Sequence, residues 1–229
     1  MTALTKEFIL TAFDIFRVWD FGNKILYRLC KKHPNHIHDA KIIAKIWLIG
    51  RSYAATVERG RDATKKSGDD YYSEDVAPKI RKSDIDIWFE CLRKDQHNSC
   101  ELNIKIHKKL TKLLCDISGQ EKRSLASKYL HFHFPDRFFI YDGRADGSVQ
   151  KLIGRASHTK KLGAVTEEDI TYSAFFKKCE KLRCRIKKLI GRDPTPREVD
   201  MVLLHYSNEC EKARSGASGG VGAATPPTP

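Results

Sequence analysis

The sequence predicts an all-α protein, and three observations support this prediction. Apolar residues recur with the period of an α-helix in successive segments, as Phe8, Ala12 and Phe16 do near the N-terminus. The stretch 195–198 (TPRE) has the form of a helix start, with an N-cap threonine, a proline at the first position and a glutamate that closes a capping box. Pro135 interrupts an apolar helical pattern, because proline has no backbone donor.

Taken in order, these patterns predict helices over residues 4–32, 40–59, 84–93, 102–117, 123–133, 143–154, 168–190 and 195–212. Gly22 is a candidate break within the first of them, and an interior Gly50 suggests a close approach of the backbone in the second. Residues 155–167 are predicted to form a basic loop, and residues 215–229, rich in Gly, Ala, Pro and Thr, a disordered tail.

Residues 60–83 are polar and rich in turn formers, so we predict a loop there. Tyr71 and Tyr72 are candidates in it for stacking on a ligand, and a simple connector is the alternative. The neighbouring turn of residues 33–38 holds three histidines, for which we expect a surface or capping role because a zinc site needs a fourth fixed ligand.

Composition narrows the class of partner. The chain has 229 residues and a net charge of +13, which favours a polyanionic partner: DNA, RNA or an acidic membrane surface, with nucleic acid the first choice. No apolar run approaches the ~20 residues that a membrane span needs, and the N-terminus lacks the pattern of a signal peptide. The seven scattered cysteines, with no CxxC, are typical of reduced thiols in a cytosolic protein.

The stretch 123–146 (RSLASKYLHFHFPDRFFIYDGRAD) organises the chain. It predicts a helix to about His133, a short connection containing Pro135, and an extended segment that ends at Asp142. Asp142 stands where a new helix can start, so its side chain is expected to cap that helix. The positive end of the helix dipole favours an ionised carboxylate at this position.

This stretch resembles the core of the helix-hairpin-helix DNA glycosylases, the superfamily that includes endonuclease III and the adenine and 8-oxoguanine glycosylases. Their core has a Lys or Ser in the first turn of one helix and a catalytic Asp after an extended segment. Ser124 and Asp142 stand in this order, 18 positions apart. The stretches 19–23 (WDFGN), 46–55 (IWLIGRSYAA) and 195–200 (TPREVD) are also similar to bacterial proteins described as 8-oxoguanine-glycosylase-like.

The resemblance implies a two-lobed fold within residues 1–214, with one lobe from 1–60 and about 150–212 and a central lobe over about 84–142. It implies a DNA glycosylase in which Asp142 stabilises the sugar cation. Ser124 in place of a nucleophilic lysine implies a monofunctional enzyme, whereas Lys122 or Lys128 would supply a lyase amine if either occupied the site.

The same resemblance implies how DNA would be held. The family hairpin binds a DNA phosphate through glycine amides, and this chain keeps Gly119 but has Lys122 in place of the second glycine. Lys122 and Arg123 are therefore candidate phosphate ligands, together with Arg144 and Arg51. For Arg51 the alternative is an ion pair with a carboxylate. A basic run over residues 177–192 is either a phosphate-binding face or a solvated helix face.

The expected partner is double-stranded DNA, bound by a cytoplasmic bacterial monomer without metal, iron–sulfur cluster or other cofactor. Three alternatives stay open at this point. The chain could be a non-catalytic DNA-binding module of the same fold, a glycosylase directed at modified phage bases, or an RNA-binding helical protein. The sequence does not identify the base.

Overall fold

The computed structural model describes residues 3–59, 68–154 and 169–218, and these residues form helices and no strand, which confirms the all-α class. The helices are α1 (Lys6–Phe16), α2 (Asp20–Lys32), α3 (Asp39–Ser52), α4 (Gly68–Tyr71), α5 (Ala77–Arg81), α6 (Ile85–Lys94), α7 (Cys100–Ser118), α8 (Arg123–His133), α9 (Gly143–Ile153), α10 (Ile170–Ile190) and α11 (Pro196–Ser218). Residues 215–218, predicted as disordered, belong to α11, and the predicted loop 155–167 lies outside the described residues.

The first predicted helix is divided earlier than expected. The chain passes through a 3-10 turn, Arg17–Trp19, between α1 and α2, while Gly22 lies inside α2. The Thr5 side chain caps α1 by accepting a hydrogen bond of 3.1 Å from the Phe8 amide. The turn leaves neighbouring apolar side chains in solvent.

Helix α3 is shorter than predicted, because the chain folds back on it after Ser52. The Ala55 amide donates to the Gly50 carbonyl at 2.8 Å, and Ala54 has a positive φ of 48°. A Cβ on Gly50 would lie 3.2 Å from the Thr56 Cα. The glycine therefore permits the close approach of the following turn, rather than of another helix.

The predicted loop 60–83 is wrong for the part that the structure describes. Residues 68–81 form α4, a π-helical turn (Tyr72–Val76) and α5. Tyr71 and Tyr72 are buried, so they are unsuited to the stacking role proposed for them. The Tyr71 hydroxyl donates to the Ile117 carbonyl at 3.1 Å, and the Tyr72 hydroxyl donates to Glu58. These distant partners order a segment whose composition alone favours turns.

Helices α7 and α8 form a helical hairpin. The connection begins at Gly119, whose φ of 69° lies in the left-handed region that favours glycine. Its amide donates to the Cys115 carbonyl at 2.8 Å and closes the last turn of α7. Only Gln120, Glu121 and Lys122 then separate Gly119 from α8.

The buried side chains form two hydrophobic clusters. The first comes mainly from α2, α3, α5, α6, α7 and α8, and the second mainly from α1, α9, α10 and α11. Phe138 belongs to the first cluster and Phe139 to the second, so the extended segment before Asp142 crosses between them. Helices α2 and α3 thus pack with the central helices in the first cluster.

A buried polar network corrects the surface or capping role expected for one of the three histidines of residues 33–38, whereas His33 is half-buried and His38 is exposed. His36 is buried, and its Nδ1 lies 2.6 Å from Asp86 Oδ1. Its Nε2 lies 2.8 Å from the Tyr129 hydroxyl and 3.2 Å from Lys45 Nζ. Burial lowers the pKa of His36 to about 4, because the charged ring would lose its hydration.

Candidate functional site

Helix α8 and the start of α9 bring together Ser124, Lys128 and Asp142, three of the four residues that the sequence offers for catalysis. Ser124 and Lys128 are one helical turn apart and share a face of α8. Asp142 is the N-cap of α9 and accepts a hydrogen bond of 2.9 Å from the Ala145 amide. The Lys128 amine lies 3.7 Å from Asp142 Oδ2 and donates to Ser124 Oγ at 2.7 Å.

Lys128 is a buried cation, with 1% of its side chain exposed. Its amine also donates to the Tyr141 carbonyl at 3.1 Å, and it lies 5.9 Å from the centre of the Tyr53 ring. Burial lowers the pKa of Lys128, and the nearby Asp142 carboxylate partly opposes this shift. The amine is thus held by directed contacts rather than by water.

Asp142 differs from Lys128 in its access to solvent, since 32% of its side chain is exposed. Its Oδ1 accepts a hydrogen bond from the Ala145 amide in the first turn of α9. One carboxylate oxygen therefore holds the helix start, while the other faces the Lys128 amine across 3.7 Å. A fixed, solvent-accessible carboxylate is suited to stabilising a developing positive charge.

The extended segment that carries Asp142 is fixed on both sides by hydrogen bonds to its backbone. The Tyr141 amide donates to Ser127 Oγ at 2.9 Å, and the Phe139 carbonyl accepts from the Tyr172 hydroxyl at 3.0 Å. His131 Nδ1 lies 2.8 Å from the Phe138 carbonyl. Tyr129 and Phe132 of α8 pack in the core. The position of Asp142 is thus set by several elements.

Two residues of α11 join this site, although the sequence reasoning did not assign them to it. Asp200 is buried and forms an ion pair with Arg197. Burial raises the pKa of Asp200 to about 6; Arg197 and Lys128 oppose the shift, whereas Asp142 adds to it. Asp200 Oδ1 and Arg197 Nε have no hydrogen-bond partner among the described residues. The sequence signal for these residues was the stretch 195–200, which had been noted only as a helix start and for its resemblance.

A largely apolar pocket of about 530 Å³ lies beside these residues. It is lined by side chains of α2 and α3 and by Arg197, and the lining includes Phe16, Trp19, Asn23, Tyr53 and Arg197. The Tyr53 hydroxyl donates to Asn23 Oδ1 at 2.8 Å, while Asn23 Nδ2 has no partner in the described part of the chain. Aromatic walls with a few unsatisfied polar atoms suit a planar polar ligand.

The fourth catalytic candidate, Lys122, lies apart from the Asp142 carboxylate. It is buried, and its amine donates to the Arg59 carbonyl. Lys122 and Ser124 line a separate cleft of about 340 Å³ that also includes Gln120 and Ala55. Burial lowers the pKa of Lys122. Of the two lysines, only Lys128 is in contact with Asp142.

Five residues were predicted to bind DNA, and the four cations among them all contact other groups of the protein. Arg51 forms an ion pair of 2.7 Å with Glu58, as the preferred alternative anticipated. Arg123 donates to Asp169 at 2.8 Å and is also paired with Glu121. Arg144 donates to Ser207 and Asn208 of α11. Lys122 is bonded as described above, and Gly119 is exposed at the end of α7.

Within residues 3–59, 68–154 and 169–218, no group of three or more His, Cys, Asp or Glu side chains is arranged to hold a metal ion. No helix in these ranges is long and apolar enough to span a membrane.

The comparisons with known proteins add no identification. The chain matches no protein-family model, no curated protein and no solved structure.

Proposed function

We propose that the protein is a DNA glycosylase that hydrolyses the N-glycosidic bond of a damaged or modified base, with Asp142 stabilising the positive charge that develops on the sugar. The observation that carries the proposal is the convergence of Ser124, Lys128 and Asp142 at the end of a helical hairpin. In this proposal the two hydrophobic clusters correspond to the two lobes of the helix-hairpin-helix glycosylase fold.

The chemistry follows from the properties of Asp142. Breaking an N-glycosidic bond leaves the sugar with oxocarbenium character. A nearby fixed carboxylate stabilises this positive charge and can also direct an attacking water. Asp142 is held by the Ala145 amide and remains about one-third exposed, so a sugar can approach it. This arrangement supports an electrostatic role without a covalent intermediate.

The pocket beside Lys128 is the proposed site of the excised base. A base must leave the duplex stack before its glycosidic bond can be reached, and this costs a few kcal/mol. Aromatic side chains such as Tyr53 and Trp19 would offset part of that cost by stacking. Asn23 and Arg197 line the pocket and carry N–H groups that can donate to acceptor atoms on the base.

Lys128 is proposed to position Asp142 and the Tyr141 carbonyl, which makes the enzyme monofunctional. The alternative is that its amine attacks the sugar, forms a Schiff base and then breaks the strand. Lys128 is the better candidate for that alternative, since the Lys122 amine is bonded to the Arg59 carbonyl.

A second candidate is a non-catalytic DNA-binding module of the same fold. It is favoured by the hairpin, where Lys122 replaces a family glycine, and by Ser124 in place of the nucleophilic lysine. The two candidates differ in one requirement, because only the enzyme needs the Asp142 carboxylate for its function.

Base release tests the proposal. The purified protein would be incubated with duplexes carrying 8-oxoguanine, uracil, alkylated bases or adenine opposite 8-oxoguanine, and with phage DNA that carries modified bases. Free base would be measured by mass spectrometry. We expect Asp142→Asn to lower release at least about 100-fold, because the sugar cation loses its counter-charge. The matched control is Asp146→Asn, the same change one turn later in α9, where Asp146 accepts a hydrogen bond from Gln150.

The pattern of strand breaks separates the variants of the proposal. Breaks that appear only after alkali, with release dependent on Asp142, support the monofunctional enzyme. Breaks without alkali, lost in Lys128→Met, assign the nucleophile to Lys128. DNA binding without release from any substrate, in both the natural protein and Asp142→Asn, would support the binding module instead.

A further inference from the structure

The α2 helix and the turn before it carry an unusual exposed surface, which we call the α2 face and define as Val18, Trp19, Phe21, Lys24, Ile25, Arg28, Lys31 and Lys32. Three of its apolar side chains are among the most exposed in the described chain: Val18 at 76%, Trp19 at 64% and Phe21 at 75%. Single exposed apolar residues are ordinary, but a contiguous group of large ones marks an interaction site.

The second half of the α2 face is basic. Lys24, Arg28, Lys31 and Lys32 are all exposed, and no carboxylate of the described residues lies within ion-pair distance of them. Asp20 in the first turn is the one acidic residue of α2. The cations predicted from the sequence to bind DNA are different in this respect: Arg51 and Arg123 are in ion pairs.

The α2 face is continuous with the pocket beside the catalytic candidates. Trp19 and Ile25 belong to both, since they are exposed and also line the pocket of about 530 Å³. Tyr53 lines the same pocket, and the Lys128 amine lies 5.9 Å from its ring. A chain that runs along the α2 face would therefore reach the pocket at Trp19 and Ile25, and the Tyr53 ring links this pocket to Lys128.

We propose that the α2 face is the surface that binds the DNA strand, with Lys24, Arg28, Lys31 and Lys32 contacting phosphates and with Trp19 and Phe21 stacking on bases next to the nucleotide in the pocket. The proposal rests on the proposed function for the identity of the polymer. Phosphates attract unpaired cations, and every base offers a flat face to an aromatic ring. This combination assigns DNA binding to residues outside the α7–α8 hairpin.

Charge complementarity favours DNA over a second copy of the chain. A symmetric dimer through the α2 face would bring each cluster of four cations close to its copy, because a two-fold interface pairs a patch with itself. Like charges that face each other in this way oppose association. A polyanion has the opposite effect, and the net charge of +13 adds to its attraction.

Fluorescence anisotropy with labelled single-stranded and duplex DNA tests the proposal. We expect Lys24→Glu/Arg28→Glu to weaken binding at least about tenfold at moderate salt, and Lys24→Gln/Arg28→Gln to reduce the slope of log K against log salt by about 2. We expect Trp19→Ala/Phe21→Ala to weaken binding about tenfold with an unchanged slope, because stacking releases no counterions. Circular dichroism would establish that each variant is folded.

The matched control for charge is Lys6→Glu/Lys82→Glu, which makes the same change on two exposed lysines outside both the α2 face and the basic run 177–192. We expect this control to weaken binding less than threefold. Equal losses from both pairs would overturn the proposal, because they would show attraction by net charge alone. Wild-type affinity in the α2 variants would also overturn it, as would binding to vesicles containing phosphatidylserine without binding to DNA.

Base release distinguishes a failure of this proposal from a failure of the proposed function. If Asp142→Asn and the natural protein bind DNA through the α2 face but no base is released from any substrate, the α2 proposal stands and the glycosylase proposal fails. If base is released and the α2 variants bind DNA as the natural protein does, the α2 proposal fails alone.

Discussion

The region around Asp142 and the α2 face use charge in opposite ways. Near Asp142 the charged groups satisfy one another, as Lys128 does with Ser124, Tyr141 and Asp142. On the α2 face four cations stand in solvent without carboxylate partners among the described residues. The net charge of +13 does not distinguish these regions. In the folded protein the charged groups near Asp142 contact one another, whereas the cations of the α2 face remain available to a ligand.

The two regions also differ in the free energy that it costs to keep their cations in place. Moving an ion out of water costs several kcal/mol unless directed contacts replace its hydration. Lys128 has such contacts, although replacing buried ions by hydrophobic residues of similar volume often stabilises a protein. Retention of a cation there is consistent with a role in positioning. The α2 cations carry no such desolvation cost, so they remain free to bind a ligand.

Among the substitutions that compare the two regions, Lys128→Met is expected to have the largest effect on base release. Methionine keeps the volume but removes the amine that contacts Ser124, the Tyr141 carbonyl and Asp142. We expect base release in a single turnover to fall at least about tenfold, with the affinity for DNA changed less than twofold. Single-turnover assays and anisotropy would measure the two quantities separately.

Lys112→Met is the matched control, because Lys112 is an exposed lysine of α7 that pairs with Asp116. It should leave both quantities unchanged. A parallel loss of affinity and release in Lys128→Met would contradict a positioning role and would break the separation between the buried site and the α2 face.

Low pH is expected to reduce the stability of the folded protein through its buried histidines, and not through the cations of the α2 face. Burial lowers the pKa of both His36 and His131 to about 4, below the ordinary value of about 6.5. Between these values the unfolded chain binds more protons than the folded one, so stability falls as pH falls from about 6.5 to about 4. Each histidine contributes a loss of at most about 3 kcal/mol. Asp200 opposes this over about pH 6 to 4, because burial raises its pKa to about 6.

Urea unfolding followed by circular dichroism between pH 7 and pH 4.5 would measure this loss. In His131→Gln the side-chain oxygen can still accept from the Tyr27 hydroxyl, which lies 2.6 Å from His131 Nε2 in the natural protein. We expect this variant to be less stable at pH 7 but to depend less steeply on pH. An unchanged slope would show that His131 does not remain neutral in the folded protein.

Much of the fold was predictable because apolar periodicity reports burial directly. The failures lie where distant contacts decide the structure. Residues 68–81 were assigned to a loop because their composition favours turns, but Tyr71 and Tyr72 find buried partners at Ile117 and Glu58. The end of α3 was placed too late because the chain folds back on Gly50 after Ser52, and apolar periodicity does not detect such a turn.

The candidate site was partly predictable for the same kind of reason. Local spacing places Ser124 and Lys128 on one face of α8, and local capping places Asp142 at the start of α9. Arg197 and Asp200 were not assigned to the site because they approach it only through the packing of α11. The sequence also does not show which basic residues are paired with carboxylates. The available phosphate ligands could therefore be chosen only from the structure.

The smallest effect is expected from Arg144, which sequence reasoning placed among the DNA-binding residues. Its guanidinium donates to Ser207 and Asn208 of α11, although half of its side chain is exposed. We expect Arg144→Gln to weaken DNA binding less than threefold, since glutamine removes one charge that already has partners, whereas the Lys24 and Arg28 substitutions remove free ones. Anisotropy under the same salt conditions would compare them. A loss from Arg144→Gln as large as that from Lys24→Gln/Arg28→Gln would mean that a hydrogen-bonded arginine is as available to phosphate as an unpaired one, and the contrast between the two regions would no longer hold.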